Sequence, residues 1–211
     1  SLIRLIDDML DVSRIRTGKL SIRTSRFDLV KLVGDLLHNF AAQVEAAEAS
    51  VCFTAEQPVQ GDWDEFRIEQ VVSNLLTNAL RYGGKSLIEV RVYARDGQAF
   101  IEVQDRGIGI SEENQQRIFQ QFERVSAKTV VAGLGLGLFI VKEVVTAHQG
   151  SIEVSSNESD GTTFTARHGV VLACGGFPHD ADCCGDIELA PQCAGACFIF
   201  HRLDKRRAQS F

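Results

Sequence analysis

No stretch of the chain approaches the roughly 18 consecutive apolar residues of a membrane-spanning helix. Residues 1–9 also lack the basic, apolar and small-residue order of a secretion signal. The chain is therefore expected to be cytosolic, or the cytosolic piece of something larger. A basic excess is missing as well: 22 Lys and Arg stand against 28 Asp and Glu, a net charge of -6. That balance argues against a surface built to grip nucleic acid or an anionic membrane, so an anionic ligand must be met by a local set of donors. Cysteine is almost absent from residues 1–166, where Cys52 stands alone, whereas residues 167–211 hold Cys174, Cys183, Cys184, Cys193 and Cys197. No Cys-x-x-Cys pair occurs among them, and adjacent Cys183 and Cys184 suit a tetrahedral ion badly, so zinc is not expected.

What is present is enough for a core. The chain is 45% apolar and 24% charged, which excludes disorder as its main state. Its 211 residues, at about 150 per domain, allow one domain and a fragment. Apolar residues at helical spacing over 1–16, from Leu2 to Ile15, look like the end of a longer amphipathic helix that stops at Gly18. A short strand is expected over 20–26, a helix capped by Asp28 as far as about 49, and a strand near 51–55. Then come a helix over about 63–81 ended by Gly83 and Gly84, and two strands, 86–95 and 98–104, joined at Asp96-Gly97, a strong hairpin signal. After a polar stretch over 124–132, the glycines at 133, 135 and 137 open a helix that reaches His148, and a hairpin of 151–155 with 162–166 follows. This order predicts an α+β fold, a two-layer sandwich with helices on one face of a mixed sheet.

Three features carry chemistry in combination. Asn74 and Asn78 lie one turn apart on one helix face, where an amide oxygen suits Mg²⁺ beside phosphate oxygens. Asp105 ends a strand before Gly107 and Gly109, a buried acceptor for an exocyclic amine under a backbone that a flat ligand can approach. Gly133, Gly135 and Gly137 at a helix start offer unhindered N–H donors and the positive end of a helix dipole to a phosphate, with Arg81, Arg124 and Lys128 as added charge. Singly each is a weak signal, since paired Asn residues, Asp-x-Gly-x-Gly turns and Gly-x-Gly-x-Gly runs are common in packing and turns.

In this order and spacing the residues resemble the catalytic ATP-binding domain of two-component sensor histidine kinases, of the wider class shared with gyrase, Hsp90 and MutL. Gln70 to Tyr82 is similar to the family's N box, Asp105 to Ile110 to its G1 box, Ile118 to Arg124 to its F box, and Gly133 to Leu138 to its G2 box. The resemblance implies a Bergerat ATP-binding fold that binds ATP and Mg²⁺. In it Asn78 would be the Mg²⁺ ligand and Asp105 the acceptor for the adenine amine, with Gly107, Gly109 and Ile110 on the adenine side. Residues 111–133 would form a lid from which Arg124 reaches the phosphates. Gly133, Leu134, Gly135, Leu136 and Gly137 would close over the triphosphate, with Tyr82 and Phe122 also in the site. Arg81 stands where the family usually has Lys, and Asn74 stands where hydrolysing relatives have a Glu base. Asn74, Asn78 and Arg81 are thus the catalytic candidates, in a setting that favours transfer to an imidazole over hydrolysis.

The resemblance also divides the chain. Residues 1–18 resemble the end of the second helix of a dimerisation and phosphoacceptor hairpin, 19–166 the catalytic domain, and 167–211 neither. That last stretch is expected to be a poorly ordered extension, a fused end or a frame slip, with five basic residues cancelling five acidic ones. None of the five histidines, His38, His148, His168, His179 and His201, sits in an acceptor box, and His148 is expected to be structural. The implied partners are a response-regulator receiver domain and, in the intact parent, a second copy through the hairpin, with no nucleic acid and no membrane contact by this fragment. A non-catalytic nucleotide-binding remnant and, less favoured, a gyrase-type ATPase are the alternatives.

Overall fold

The computed structural model describes residues 2–123, 134–157, 161–168 and 196–200. In chain order it comprises α1 (Leu2–Arg16), β1 (Ser25–Asp28), α2 (Leu29–Ala46), β2 (Ser50–Ala55), β3 (Gln60–Trp63), α3 (Glu65–Tyr82), β4 (Leu87–Arg95), β5 (Gln98–Asp105), the single turn α4 (Glu112–Gln115), α5 (Gly137–Ala147), β6 (Ser151–Asn157), β7 (Gly161–His168) and β8 (Ala196–Phe200). Strands run β6-β7-β5-β4-β2-β8 in one sheet, while β1 and β3 form a separate ribbon. Only the β2–β4 pairing of the large sheet is parallel. Among the described residues, no helix is long and apolar enough to cross a membrane.

Alternation puts the core on one face of that sheet. Val51, Phe53, Ile88, Val90, Val92, Ile101, Val103 and Phe164 are buried against helices α2, α3 and α5. The helices answer with stripes such as Leu32, Leu36 and Leu37, Val72, Leu75 and Leu76, and Ile140, Val141 and Val144. The opposite face is polar. There Tyr93 stacks on its register partner Phe100 at 4.9 Å, and Arg91 bridges Glu89 and Glu102. The Tyr93 hydroxyl donates to Glu102, which together with burial pushes the phenol up to about 12.

Most expected elements are found, with differences at β1 and β3, at the end of α2, at the end of β7 and at β8. The strand expected over 20–26 is displaced to Ser25–Asp28, because its pairing partner is the short strand Gln60–Trp63, which the sequence reading did not foresee. Gly61 permits that ribbon: a Cβ there would lie 2.2 Å from the Trp63 indole, itself edge-on to Phe27 at 5.5 Å. The second helix stops at Ala46, ahead of Glu48 at φ 53. β7 continues past the boundary placed at 166, since Arg167 and His168 stay in register with Phe100 and Ala99. Of the remaining tail, the described residues 196–200 form β8, antiparallel to β2. The hairpin at Asp96-Gly97 is as expected, with φ 51 and 73 at its two positions.

Helix α1 is fastened to α3 by charge. The Asp11 carboxylate, 4% exposed, accepts from Arg67 at 2.8 Å and from Gln70 at 2.7 Å, and Arg67 is itself only 6% exposed. Burial pushes the Asp11 carboxyl up, but the hydrogen bonds and charge of Arg67, with Gln70, outweigh it and hold the group below 3.8. The ion pair therefore stabilises the docked helix above that ordinary value and is lost as pH falls through the lowered one. Asp11→Asn strands the Arg67 charge and is expected to cost up to roughly 3–5 kcal/mol at neutral pH. In urea melts the gap from the native chain should shrink as pH falls through the acid range; a gap independent of pH would refute this.

Candidate active site

Helix α3 builds one wall. Asp64 caps it by accepting from the Arg67 N–H at 3.2 Å, and the ring of His148 locks the cap, its Nε2 accepting from the Asp64 N–H at 3.1 Å while Nδ1 sits 2.8 Å from the Val144 carbonyl. Both ring nitrogens are engaged inside the protein, the structural role expected of His148. Two turns beyond the cap Asn74 is buried against the start of α5: a Cβ added to Gly137 would meet its Oδ1 at 3.4 Å. Asn78, one turn further, is half-buried, Arg81 is exposed and Tyr82 is half-buried.

Asp105 forms the floor. Its side chain is buried at the end of β5, and Oδ1 accepts from the Gly107 N–H at 2.9 Å. Burial raises its pKa above 3.8, while the backbone N–H groups of Gly107 and Thr162 pull it back down. The loop that follows lies directly on the end of α3: a Cβ on Gly107 would stand 2.1 Å from the Tyr82 carbonyl oxygen, and one on Gly83 would stand 3.0 Å from the Asp105 Cβ. Gly109 takes φ 68, and Ile110 donates its N–H to Ser156 Oγ at 2.8 Å. Of these, Gly83, Thr162 and Ser156 are absent from the sequence-based candidates. Gly83 reads as a mere helix stop and the other two as ordinary strand residues, because the contacts that matter come from distant segments.

The third wall joins two motifs. Phe119 packs edge-on to Phe164 at 6.3 Å, whereas Phe122 is 59% exposed and donates its N–H to the Gly135 carbonyl at 3.0 Å. Gly135, at φ 68, presses on the neighbouring backbone, where a Cβ would lie 2.6 Å from the Glu123 carbonyl oxygen. Leu134 is exposed and Leu136 buried; among the described residues no side chain caps the start of α5. Arg124, Lys128 and Gly133 lie outside the described residues. The arrangement thus offers a buried carboxyl, exposed apolar side chains on two loops, a carboxamide pair and a helix start.

The family profile described as "Histidine kinase-, DNA gyrase B-, and HSP90-like ATPase" matches residues 63–170. The chain belongs to this family. It is 33% identical over 174 residues to Sensor protein EvgS of Escherichia coli O157:H7, covering 78% of this chain and 14% of that one. To the circadian input-output histidine kinase CikA of Synechococcus elongatus it is 32% identical over 170 residues, with 78% and 22% covered. The chain spans less than a quarter of the length of either relative. The fold is that of full-length ShkA, solved in complex with AMPPNP, at a TM-score of 0.73 and 23% identity, covering 82% of this chain and 36% of that one.

Within this ATPase family fold, Asn74 lies against Gly137, Gly107 against the Tyr82 carbonyl, Gly83 against Asp105 and Phe122 against Gly135. A carboxylate held there against its own solvation is a cost to the empty protein. Its raised pKa means that the protonated form folds better, an advantage present below 3.8 and lost as pH rises through the folded value. Asp105→Asn is therefore expected to melt higher than the native chain near pH 7, with the difference closing as pH drops. A lower melting temperature for the variant at neutral pH would contradict the burial account.

Proposed function

We propose that this chain is the ATP-binding catalytic part of a two-component sensor histidine kinase, which takes the γ-phosphoryl group from Mg-ATP for a histidine on a dimerisation hairpin, from which it passes to a response-regulator receiver domain. The observation that carries this reading is the buried Asp105 carboxylate beneath a loop that carries Gly107 and Gly109, with Asn78 half-buried on the adjoining helix. A carboxylate can only accept, so it selects a base edge that donates, such as the adenine amine. Exposed Ile108, Phe122 and Leu134 supply apolar surface for a flat ring.

The Asn78 carboxamide fits one oxygen position of a Mg²⁺ ion whose other ligands are phosphate oxygens and water. When bound, the ion would neutralise charge between the β- and γ-phosphates. The start of α5 would hold the phosphates, and Arg81 at the end of α3 adds the nearest described positive charge on that helix. Asn74 is no base, and its burial against Gly137 leaves water without an activating carboxylate on this face of α3. The imidazole of a donor-ready histidine needs no such base, which favours transfer over hydrolysis.

His148 is occupied on both nitrogens, so the acceptor is sought on the helical hairpin of which α1 is the end. Ile6, Met9 and Leu10 are exposed on α1, an apolar face suited to the other helices of such a bundle and to a second copy. The test is a titration of the chain with a fluorescent ATP analogue and Mg²⁺, then incubation with ATP and a separate acceptor hairpin. Micromolar-scale binding is expected, lost at least tenfold in Asn78→Ala and in Asp105→Ala, with acid-labile phosphohistidine formed only when the hairpin is present. Steady phosphate release without an acceptor, or no binding at all, would sink the proposal.

A further inference from the structure

The two sides of the large sheet are built differently. On one side β6 carries exposed Glu153 among serines, the kind of charged, polar edge that resists pairing with another chain. β2, toward the other side, has no such protection. Ser50-Val51-Cys52-Phe53-Thr54-Ala55 holds no charge and no proline, buries every second residue at Val51, Phe53 and Ala55, and reads as an interior strand. One side of it pairs with β4. Its other side, if the sheet ended there, would be a bare row of N–H and C=O groups.

The sheet does not end there, because β8 pairs with β2 in antiparallel register: Val51 with Phe200, Phe53 with Phe198 and Ala55 with Ala196, with Cys52 and Thr54 opposite Ile199 and Cys197. Ala-Cys-Phe-Ile-Phe is uncharged, lacks proline and is rich in residue types that favour strands. It lies beyond residue 170, where the family match ends. In the sheet β7 and β8 are separated by β5, β4 and β2, four inter-strand spacings or about 20 Å. Residues 169–195 can span several times that distance, so the strand reaches the β2 of its own chain. A tether of that length presents it at up to about millimolar effective concentration, which outcompetes a second copy at ordinary protein concentrations.

We propose that the outer edge of β2 is a strand-addition site whose ligand is the segment Ala196–Phe200, held in cis: the tail is a tethered strand that occupies this edge and keeps it from other chains. The ligand class is an extended, uncharged, apolar segment recognised mainly through main-chain hydrogen bonds. The same segment therefore binds as a separate peptide once the chain's own strand is disabled. Nucleotide binding plays no part in this docking.

Hydrogen exchange on the native full chain decides first. All amides over 51–55 should be protected, since alternate N–H groups of β2 face β4 and β8; unprotected exchange at every second residue overturns the proposal. In the full chain, Phe198→Pro and Ile199→Pro each remove a backbone donor, one of the two facing β2, and should speed exchange at those alternate β2 amides roughly tenfold or more, with β5 unchanged. Phe198→Asp keeps every backbone N–H and should open the same amides, so a proline variant that fails to fold leaves the test standing. A peptide of residues 194–202 should restore protection in these variants and bind them roughly tenfold or more tighter than it binds the native chain, where the tethered strand competes. Native exchange over 51–55 in all three variants, or equal peptide binding by native and variant chains, overturns the proposal. A native dimer at micromolar concentration that the variants lose would put a second copy's strand on β2 and overturn the cis assignment.

Discussion

The site depends on a constraint of backbone on backbone. Asp105 lies where three chain segments meet more closely than any side chain allows: Gly83 at the end of α3 against its Cβ, Gly107 against the Tyr82 carbonyl, and Gly161 against its own carbonyl, where a Cβ would stand 2.1 Å away. A methyl group at any of the three would have to push apart the end of α3, the end of β5 and the start of β7. This closeness is what buries the carboxylate without giving it a counter-ion. The pocket's acceptor is therefore held by N–H groups of the main chain, which cannot rotate away as a lysine or arginine would. A rigid, acceptor-only floor is a discriminating one, because its desolvation is recovered only by a ligand that donates to it.

Helix α3 carries that floor's consequences to the other end of the molecule. Its first turns hold Arg67 and Gln70 on Asp11 of α1, its middle places Asn74 against the first residue of α5, and its last turn supports the loop at Gly107. His148 ties the far end of α5 back to the α3 cap. The two helices are thus joined at both ends, by a histidine at one and by a glycine against a carboxamide at the other. Helix α1 rides on the same α3 through the buried Asp11–Arg67 ion pair. Helix α1 and the start of α5 thus both bear on α3.

Motifs made of local geometry were legible in the sequence. The Asp96-Gly97 hairpin, the α3 stripe and the glycine-started α5 each follow from spacings within a dozen residues, and so do the asparagine pair and Asp105 with its glycines. What was not legible was set by partners far along the chain. β3 exists because Phe27 and Trp63 pack across it, and nothing in Gln60-Gly61-Asp62 alternates enough to declare a strand. Ser156 and Thr162 gain their meaning only from Ile110 and Asp105, more than forty residues earlier. Phe119 packs on Phe164, while Phe122 stands exposed at φ 63 in the loop that Gly135 fastens.

An acidic body proposed to take a triphosphate has to separate long-range charge from local charge. The net -6 repels an anion at distance, but the effect is screened within about 10 Å at ordinary ionic strength. Among the described residues, Arg106 is paired with Glu89 and Arg117 with Glu123. On the proposed function, the attraction comes from exposed Arg81 and from dipoles: the start of α5, which has no side-chain cap among the described residues, and the N–H groups exposed by glycine. Dipoles act at contact range and need no reorganisation when the ligand arrives. On the proposed function, this arrangement would tie affinity to correct seating of the phosphates and leave little for a polyanion that merely drifts past.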